Sequence, residues 1–428
     1  MNIPHIHSLF LKSTGVSTDT RKIQKQSIFV AIKGDRFDAN TFAAEALEKG
    51  ASYVIIDNEA YYIDDRTILV KNSLTALQEL ANFHRNYLKL PIIALTGSNG
   101  KTTTKELINV VLSKKYKTKA TIGNLNNHIG VPLTLLSFDT NTEIGIVEMG
   151  ANHKKEIEFL CEIAQPDYGY ITNFGKAHLE GFGGVEGVIE GKSEMYQYLF
   201  KNEKLAFINL EDPIQVEKSK ILKHYSFGVN KENANVTISE IKANPFVEIL
   251  FDSIRIKTHL IGLYNANNVN AALTIGQFFK VENEAIKSAL ESYIPENNRS
   301  QLLTKASNEI ILDAYNANPS SMLVAITNFL QLEKENKIMI LGDMFELGSS
   351  THQEHTALVD LLKNETNIQC YFVGKAFYEC QIQKNNFHFY ENFDSFSAII
   401  NKQRFENSTL LIKGSRGMAL ERTLDYIK

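Results

Sequence analysis

The fold of this chain is decided by the stretch Ile92-Ile93-Ala94-Leu95-Thr96-Gly97-Ser98-Asn99-Gly100-Lys101-Thr102-Thr103-Thr104. An apolar run opens the stretch, a turn of Gly, Ser and Asn follows, and the threonines lead into a helical pattern. In this order of strand, tight loop and helix, backbone N–H groups and a helix N-terminus can cradle phosphate oxygens. We expect Lys101 to reach the β- and γ-phosphates of a nucleotide and the Thr102 hydroxyl to bind Mg²⁺.

The loop is a shortened form of the usual phosphate loop. It reads G-x-x-G-K-T, and the longer pattern requires a further glycine where this chain has Ala94 and Leu95. The alternative is a glycine-rich turn with a solvated lysine, but the flanking strand and helix favour phosphate binding. The predicted nucleotide-binding residues of the loop are Gly97, Ser98, Asn99, Gly100, Lys101, Thr102 and Thr103.

Composition excludes several classes of protein. The 428 residues are 43% hydrophobic and 22% charged, which is typical of a globular protein with two or three domains. The formal charge of -4 gives no electrostatic case for nucleic-acid or membrane partners. The three cysteines lack C-x-x-C spacing, and we find neither a signal peptide nor an apolar run of membrane-spanning length. We therefore expect a cytoplasmic protein.

Two further segments of the middle region carry candidate catalytic groups. The apolar strand 144–148 ends in Glu148, and a parallel strand that delivers an acid beside a phosphate loop places it where Mg²⁺ must lie. His178 follows a predicted strand at 168–174 and precedes a glycine-rich turn, so a structural and a functional role remain equally open. Lys192 lies in a helical pattern at 185–199, and composition alone gives no reason to select it.

Asparagines cluster at two points. The loop 121–132 contains Asn126 and Asn127 and is either an ordinary polar loop or the lining of a pocket. A helix opens near residue 262, and Asn265 and Asn268 lie on one of its faces because they are three residues apart. Their amides could read an adenine edge or cap the helix, and the two roles are compatible.

The first 88 residues predict a small α/β module with two polar clusters. These clusters, at 17–21 and 33–40, are either surface turns or a ligand-binding surface. A domain boundary is predicted at 89–91, just before the strand of the phosphate loop.

From about residue 297, strands and helices alternate again and a helix is predicted to close the chain. Such alternation favours a mainly parallel sheet with helices on both faces. Polar groups follow three of the predicted strands, at 315–319, 342–346 and 413–416. Because the carboxyl ends of parallel strands form the ligand crevice of an open α/β sheet, we expect these groups to line a site.

Together these segments resemble the Mur ligases of peptidoglycan synthesis, most closely their MurF branch. The resemblance covers the whole chain. Its markers are Thr96-Gly97-Ser98-Asn99-Gly100-Lys101-Thr102, Gly123-Asn124-Leu125-Asn126-Asn127, Val147-Glu148-Met149-Gly150-Ala151-Asn152-His153, His178-Leu179-Glu180-Gly181-Phe182-Gly183, Asp313-Ala314-Tyr315-Asn316-Ala317-Asn318, Gly342-Asp343-Met344-Phe345-Glu346-Leu347-Gly348 and Lys413-Gly414-Ser415-Arg416.

The resemblance implies an α/β fold of three domains. These are a small N-terminal α/β module for the UDP end of the substrate (1–88), a central P-loop-type ATPase domain with a mainly parallel sheet (89–296) and a C-terminal Rossmann-like domain (297–428). By the same resemblance, Asn265, Asn268, Arg299 and Asp313 contact ATP. The implied substrate-binding residues are Ser17, Asp19, Arg21, Arg36, Asn40, Asn126, Asn127, Tyr315, Asn316 and Asn318.

The resemblance also implies a metal centre with two Mg²⁺ ions. Thr102, Glu148 and His178 match family metal positions, and Lys192 matches a lysine that is carbamylated in many members. A carbamate requires a neutral amine and hence a desolvated lysine with a lowered pKa. Lys101, Glu148, His178 and Lys192 are the implied catalytic residues. One departure is Tyr264, where many relatives have histidine.

The implied activity is ATP-dependent amide ligation by a monomer. D-Ala-D-Ala would be added to a UDP-N-acetylmuramoyl tripeptide through an acyl phosphate. The competing interpretations are a ligase similar to folylpolyglutamate synthase, a plain NTPase or kinase, and a non-catalytic nucleotide-binding scaffold. The combination of Glu148, His178 and Lys192 argues against the scaffold.

Overall fold

A computed structural model describes residues 2–35, 37–402 and 404–427 of the chain. Within these ranges the strands form three large sheets and one small hairpin, arranged one sheet after another along the chain. Over the same ranges, no helix combines the length and the apolar character that crossing a membrane requires.

The first sheet is parallel throughout, with strand order β1-β2-β5-β6, and β3 and β4 form a separate hairpin. Its elements are α1 (Ile3–Phe10), β1 (Val16–Ser17), β2 (Ile28–Val30), β3 (Lys33–Gly34), β4 (Phe37–Asp38), α2 (Ala43–Glu48), β5 (Tyr53–Ile56), β6 (Thr67–Leu69) and α3 (Ser73–Leu88), with 3-10 turns at Thr20–Lys22, Ala39–Phe42 and Glu59–Tyr61. The side chain of Asn72 caps α3 by accepting a hydrogen bond from the Thr75 N–H.

The middle sheet has the order β15-β14-β13-β12-β11-β10-β7-β9-β8 among the described residues. Its strands are β7 (Ile92–Thr96), β8 (Thr118–Ala120), β9 (Ile144–Glu148), β10 (Tyr168–Ile171), β11 (Leu205–Asn209), β12 (Lys223–Val229), β13 (Val236–Ala243), β14 (Phe246–Phe251) and β15 (Ile254–Ile261). Its helices are α4 (Lys101–Leu112), α5 (Gly130–Leu136), α6 (Glu156–Ala164), α7 (Leu179–Phe182), α8 (Val185–Lys201), α9 (Pro213–Lys218), α10 (Ala266–Phe278) and α11 (Asn283–Ser292), with a 3-10 turn at Leu263–Asn265.

The middle sheet is mainly parallel, as predicted. The strand β7, which leads into the phosphate loop, lies between β10 and β9 and is parallel to both. Strands β13, β14 and β15 instead form an antiparallel edge that the sequence reading did not anticipate. This edge carries polar side chains on alternate positions, so it lacks the continuous apolar runs of the buried strands.

The third sheet has the order β16-β17-β21-β18-β19-β20 and is parallel except for the β16–β17 pair. Its elements are β16 (Gln301–Lys305), β17 (Asn308–Asp313), α12 (Pro319–Gln331), β18 (Lys337–Gly342), α13 (Thr351–Leu362), β19 (Ile368–Val373), α14 (Lys375–Glu379), β20 (Phe387–Tyr390), α15 (Phe393–Ile400) and β21 (Thr409–Lys413), with 3-10 turns at Gly348–Ser350, Arg416–Met418 and Leu420–Tyr426. The helix that was predicted to close the chain is thus present and is a 3-10 helix. The buried side chains of Leu420 and Thr423, three residues apart, suit its tighter winding.

The N-terminal module shares its apolar core with the middle domain. Leu77 and Leu80 of α3 are fully buried in a cluster that also contains Val131 and Leu135 of α5. Two hydrogen bonds add to this packing: Gln78 donates to the His128 carbonyl oxygen, and the Arg85 side chain forms an ion pair with Asp167 at 2.8 Å. Helix α3 therefore belongs structurally to both units.

Candidate active site

Two glycines allow the phosphate loop to pack closely against its neighbours. Gly97 has φ of 141°, and a Cβ atom there would lie 2.0 Å from the Thr172 Oγ1 atom. Gly100 has φ of 78°, and a Cβ atom there would meet the Asn268 side chain at 2.7 Å. Because side chains disfavour these backbone conformations and no space exists for them, both positions require glycine.

Lys101 begins helix α4 and folds back over the loop. Its Nζ donates hydrogen bonds to the carbonyl oxygens of Gly97 at 2.7 Å and Ser98 at 3.3 Å. Burial lowers the pKa of Lys101, the nearby charge of Arg299 acts in the same direction, and Glu148 opposes both. Among the described residues, the hydrogen bonds of this ammonium go only to neutral carbonyls, so it is well placed to bind an arriving polyphosphate.

Glu148 ends strand β9 beside the loop, as predicted. The Thr102 hydroxyl donates to its Oε2 at 2.9 Å, and the Asn126 amide donates to its Oε1 at 2.9 Å. The carboxylate is buried, with 2% of the residue exposed. A carboxylate and a hydroxyl next to a phosphate loop form the type of partial ligand set that Mg²⁺ uses together with phosphate oxygens and water.

Asn265 and Asn268 join helix α10 to the loop helix. The Asn268 amide donates to Asn265 Oδ1 at 2.8 Å, and the Thr104 hydroxyl donates to Asn268 Oδ1 at 3.0 Å. Asn265 Nδ2 donates to the Ile261 carbonyl oxygen, so its side chain does not cap the helix. The two asparagines therefore lie on one face, as their spacing predicts, and they brace α4 against α10.

The third domain brings a set of charged groups to the same place. Asp313 and Lys413 end the adjacent parallel strands β17 and β21, and Lys413 Nζ donates to Asp313 Oδ2 at 2.5 Å. The Arg299 guanidinium stacks on the Tyr315 ring with 3.6 Å between its carbon and the ring centroid. This stacking holds the long arginine side chain over the site.

The N-terminus of α12 contacts the phosphate loop directly. Asn318 caps α12, and its Nδ2 donates to Asn99 Oδ1 at 2.7 Å. Ser320 Oγ accepts a hydrogen bond from the Lys176 N–H at 2.7 Å. The third domain is therefore closed over the loop in this structure.

His178 lies at the junction of the middle and third domains. Its Nδ1 forms a short hydrogen bond with Glu346 Oε2. Both residues have left-handed backbone conformations, with φ of 52° and 61° respectively. Burial lowers the pKa of His178, whereas the charge of Glu346 opposes this effect. The His178 side chain thus faces an acid of the third domain that the sequence reading did not pair with it.

Lys192 lies one layer beneath the site. The residue is 1% exposed, its Nζ donates to the Ala151 carbonyl oxygen at 3.2 Å, and the Phe182 ring centroid is 5.0 Å away. Burial lowers the pKa of Lys192 well below its ordinary value, and the charge of Lys101 adds to this effect. The environment therefore favours the neutral amine.

A cavity of about 890 Å³ connects these groups, a volume suited to a nucleotide together with part of a second ligand. Most of the predicted site residues line it, namely residues 98–103, Asn126, Asn127, Glu148, His178, Asn265, Asn268, Arg299, Asp313, Tyr315, Asn316 and Asn318. Gly97 and Lys192 lie behind its wall. In the described part of the chain, no three His, Cys, Asp or Glu side chains form a ready-made metal cluster.

Four predicted substrate residues of the N-terminal module, Ser17, Asp19, Arg21 and Asn40, do not line this cavity. Ser17 and Asp19 form a turn in which the exposed Arg21 side chain is paired with the Asp19 carboxylate. Asn40 is 0% exposed, and its amide bonds to Asp38 and Asp57. The structure uses the Asn40 side chain in this buried network, and a contact between Asn40 and the substrate stays a prediction. Arg36 lies outside the described residues.

Several cavity residues were not predicted, although the same rule could have identified them. Thr172 and Asn173 follow strand β10, and the Asn173 side chain bonds to both backbone groups of Asn99. Lys413 ends strand β21 and, by contrast, belongs to the 413–416 segment that was expected to line a site; it does line the cavity. Each occupies the carboxyl end of a parallel strand, which is the signal that identified Glu148. Ser300 has no such signal, because it lies in a linker.

Comparison with known proteins matches three family models in order along the chain. Residues 12–85 match the model described as Mur ligase family, catalytic domain, residues 95–276 the Mur ligase middle domain, and residues 298–416 the Mur ligase, glutamate ligase domain. A Bacillus subtilis protein named UDP-N-acetylmuramoyl-tripeptide–D-alanyl-D-alanine ligase is 34% identical, over 95% of this chain and 91% of that protein. The chain belongs to the Mur ligase family.

Solved structures of other Mur ligases share this fold over nearly the full length. A MurF from Acinetobacter baumannii superposes with a TM-score of 0.84 at 32% identity, and the match covers 96% of this chain and 92% of that one. A MurF ligase from Thermotoga maritima in complex with ADP gives a TM-score of 0.84 at 27% identity, over 98% and 97% of the two chains. The predicted three-domain α/β fold is therefore confirmed.

Proposed function

We propose that this Mur ligase joins D-Ala-D-Ala through an amide bond to the free terminal carboxylate of a UDP-N-acetylmuramoyl tripeptide, using ATP. One observation carries the proposal above the others. The chain matches a ligase of that name over 95% of its length, and its phosphate loop, Glu148 and the ends of strands β17 and β21 meet in one cavity.

The reaction needs ATP because a carboxylate is a poor electrophile. A carboxylate oxygen of the tripeptide attacks the γ-phosphorus, ADP leaves, and an acyl phosphate results. The dipeptide, after its ammonium has lost a proton, attacks the acyl carbon with its amine. The C–O bond then breaks, phosphate leaves, and the nitrogen loses a second proton as the amide forms.

The protein contributes position and charge to both steps. The loop N–H groups and Lys101 hold the transferred phosphoryl group and offset its negative charge. Arg299 and Asp313 hold the nucleotide from the side of the third domain. Asn265 and Asn268 hold it from the side of α10. Closure of that domain over the loop keeps water from the acyl phosphate.

The donor set beside the loop fits Mg²⁺. Thr102 and Glu148 would hold one ion, which supplies charge neutralisation for the phosphate oxygens when bound. His178 would serve a second ion once Glu346 moves away from its ring. A cluster of several acidic side chains is unnecessary here, since phosphate oxygens and water complete the coordination of Mg²⁺.

Lys192 suits the proposed carbamate because its amine is buried and unpaired with any carboxylate at hydrogen-bond distance among the described side chains. A neutral amine attacks the carbon of CO₂, the nitrogen then releases a proton to solvent, and the resulting carbamate anion would add negative charge beneath the metal site. A test is ¹³C NMR of the protein in ¹³C-bicarbonate. We expect a carbamate resonance that is absent from Lys192→Met, and its absence from the wild type would refute the modification.

The function itself is tested by phosphate release. The purified chain is given ATP, Mg²⁺ and UDP-N-acetylmuramoyl tripeptide, together with D-Ala-D-Ala, L-Ala, D-Glu or diaminopimelate in separate reactions. We expect release only with D-Ala-D-Ala. Release without any acceptor would indicate a plain NTPase, and release with glutamate on a folate substrate would favour the folylpolyglutamate synthase alternative.

Removal of residues 1–88 cannot separate these alternatives. A folylpolyglutamate-type ligase would not need the N-terminal module, but Leu77 and Leu80 complete the core against α5. Their loss would expose apolar surface and destabilise the middle domain whatever its substrate. The choice of acceptor is therefore the cleaner test. We further propose that the enzyme acts as a cytoplasmic monomer, which size-exclusion chromatography tests for the oligomeric state.

A further inference from the structure

The linker between the middle and third sheets is held in an unusual conformation. Asn297, Asn298 and Ser300 have φ of 60°, 58° and 50°, in the left-handed region that residues other than glycine seldom adopt. Ser300 is 6% exposed. A conformation of this kind persists only where surrounding contacts hold it.

Two tyrosines of the middle domain provide such contacts at the two ends of the linker. The Tyr293 hydroxyl donates to Glu106 Oε2 of α4 at 2.6 Å. The Tyr264 hydroxyl lies 2.6 Å from Ser300 Oγ. Between these points, Arg299 projects into the cavity and stacks on Tyr315. The linker is thus tied to the nucleotide-binding domain on both sides of Arg299.

Ser300 in turn holds the carboxylate of Asp313. Its backbone N–H donates to Asp313 Oδ1 at 3.0 Å, and its hydroxyl lies 3.5 Å from the same oxygen. Lys413 Nζ donates a hydrogen bond to the other carboxylate oxygen, Oδ2. The orientation of Asp313 in the cavity is therefore determined by one contact from its own sheet and by Ser300, whose hydroxyl is fixed by Tyr264.

Tyr264 also adjoins the other wall of the nucleotide site. It immediately precedes Asn265, which is bonded to Asn268, and Asn268 accepts a hydrogen bond from Thr104 of the loop helix. A continuous series of contacts thus leads from the phosphate-loop helix to the end of β17. The Tyr264 hydroxyl is the link that crosses from the middle domain to the linker.

We infer that Tyr264 and Ser300 are positioning residues that set Asp313 for contact with the nucleotide. The inference rests on the proposed use of ATP in this cavity. It assigns the Tyr264 hydroxyl, rather than its ring alone, a function in nucleotide affinity. A purely structural tyrosine would affect the stability of the fold but not the nucleotide affinity in particular.

The test measures the dissociation constant of ADP with Mg²⁺ by calorimetry, which requires no turnover. Tyr264→Phe and Ser300→Ala should each raise this constant about tenfold, the effect of losing one hydrogen bond that orients a charged group. The double variant should be no weaker than either single variant, because both remove the same link. Tyr116→Phe is the matched control, since its hydroxyl also makes one hydrogen bond, to Phe279 O at 2.8 Å, far from the linker.

Kinetics provide the second readout. In both variants KM for ATP should rise with the ADP constant while KM for the dipeptide and the melting temperature stay near those of Tyr116→Phe. Unchanged ADP affinity in Tyr264→Phe, or independent effects that multiply in the double variant, would overturn the inference. If the wild-type protein binds ADP but ligates no dipeptide, the proposed function fails, and the ADP constants still decide the positioning role.

Discussion

Replacement of Lys101 by methionine separates catalysis from stability. The change keeps most of the apolar stem of this half-buried side chain and removes only the ammonium. In the structure this group has hydrogen bonds to the carbonyl oxygens of Gly97 and Ser98, and within the described ranges it forms no ion pair. Its loss therefore leaves no carboxylate without its ion-pair partner.

The substitution Lys101→Met should lower kcat but should not lower the folding stability. Loss of one charge that stabilises a developing oxyanion lowers kcat by about 10²–10³-fold, equivalent to about 2.7–4 kcal/mol. Folding stability should stay the same or rise, because an ammonium buried without a counter-ion opposes folding, as its lowered pKa indicates. The apparent melting temperature of Lys101→Met without nucleotide should therefore equal or exceed that of the wild type.

Phosphate release under saturating substrates measures kcat, and thermal unfolding with and without ADP measures stability. Lys105→Met is the matched control, since Lys105 also lies on α4 but is buried, with its Nζ 3.8 Å from Glu106. We expect this control to keep its turnover and to lose stability. Turnover of Lys101→Met near the wild-type value would refute the reasoning, and so would a lower melting temperature in that variant than in the control.

Three further predictions concern separate parts of the molecule. Glu148→Gln removes the charge beside the loop at constant shape, so kcat should fall about 10²-fold and more Mg²⁺ should be required; an unchanged Mg²⁺ titration of phosphate release would contradict this. Asp343→Ala should lower the free energy of unfolding by about 1–2 kcal/mol without changing KM. The reason is that the Asp343 carboxylate accepts hydrogen bonds from the Ala376 and Phe377 N–H groups at 2.9 and 3.0 Å. Denaturant unfolding and kinetics distinguish this structural role from a direct role at the active site. Burial lowers the pKa of both His7 and His84 below 6.5, so the unfolded chain binds more protons than the folded one as the pH falls. The contribution of these two histidines to folding stability should therefore be fully present above about pH 6.5, and the stability should decrease as the pH falls below this value. Melting curves of a variant with both histidines replaced by glutamine should show a weaker decrease.

Much of the candidate site could be predicted from local sequence, because the polar residues that end each apolar strand can be identified from the sequence. The loop at 97–103 and the acid at Glu148 lie at the carboxyl ends of neighbouring parallel strands, so their order along the chain was enough to bring them together. The loop 121–132 also lines the cavity by following a strand end, since it comes after β8 and its Asn126 side chain donates a hydrogen bond to Glu148 at the end of the adjacent strand β9. Periodicity also located several elements within a few residues, among them β9, β10 and α8.

Other features depended on contacts between segments far apart in the chain. Asn40 had the composition of a ligand-binding loop, yet Asp38 and Asp57 use its side chain in a buried network. Lys192 had no distinguishing local pattern, and only packing beneath Ala151 and Phe182 removes its amine from water. Neither the buried network of Asn40 nor the burial of Lys192 could be predicted from local sequence, because the contacting residues are distant along the chain.

The nucleotide loop, the acid beside it and the alternation of strands and helices could be predicted from sequence alone, because these features depend on residues within one or two neighbouring elements. The tertiary structure decided which groups face one another across the domain boundary, such as His178 with Glu346 and Tyr264 with Ser300. The physical reason is that hydrogen bonding and desolvation act through space. The pKa of a lysine or the orientation of an aspartate is therefore defined only when distant segments have packed around it.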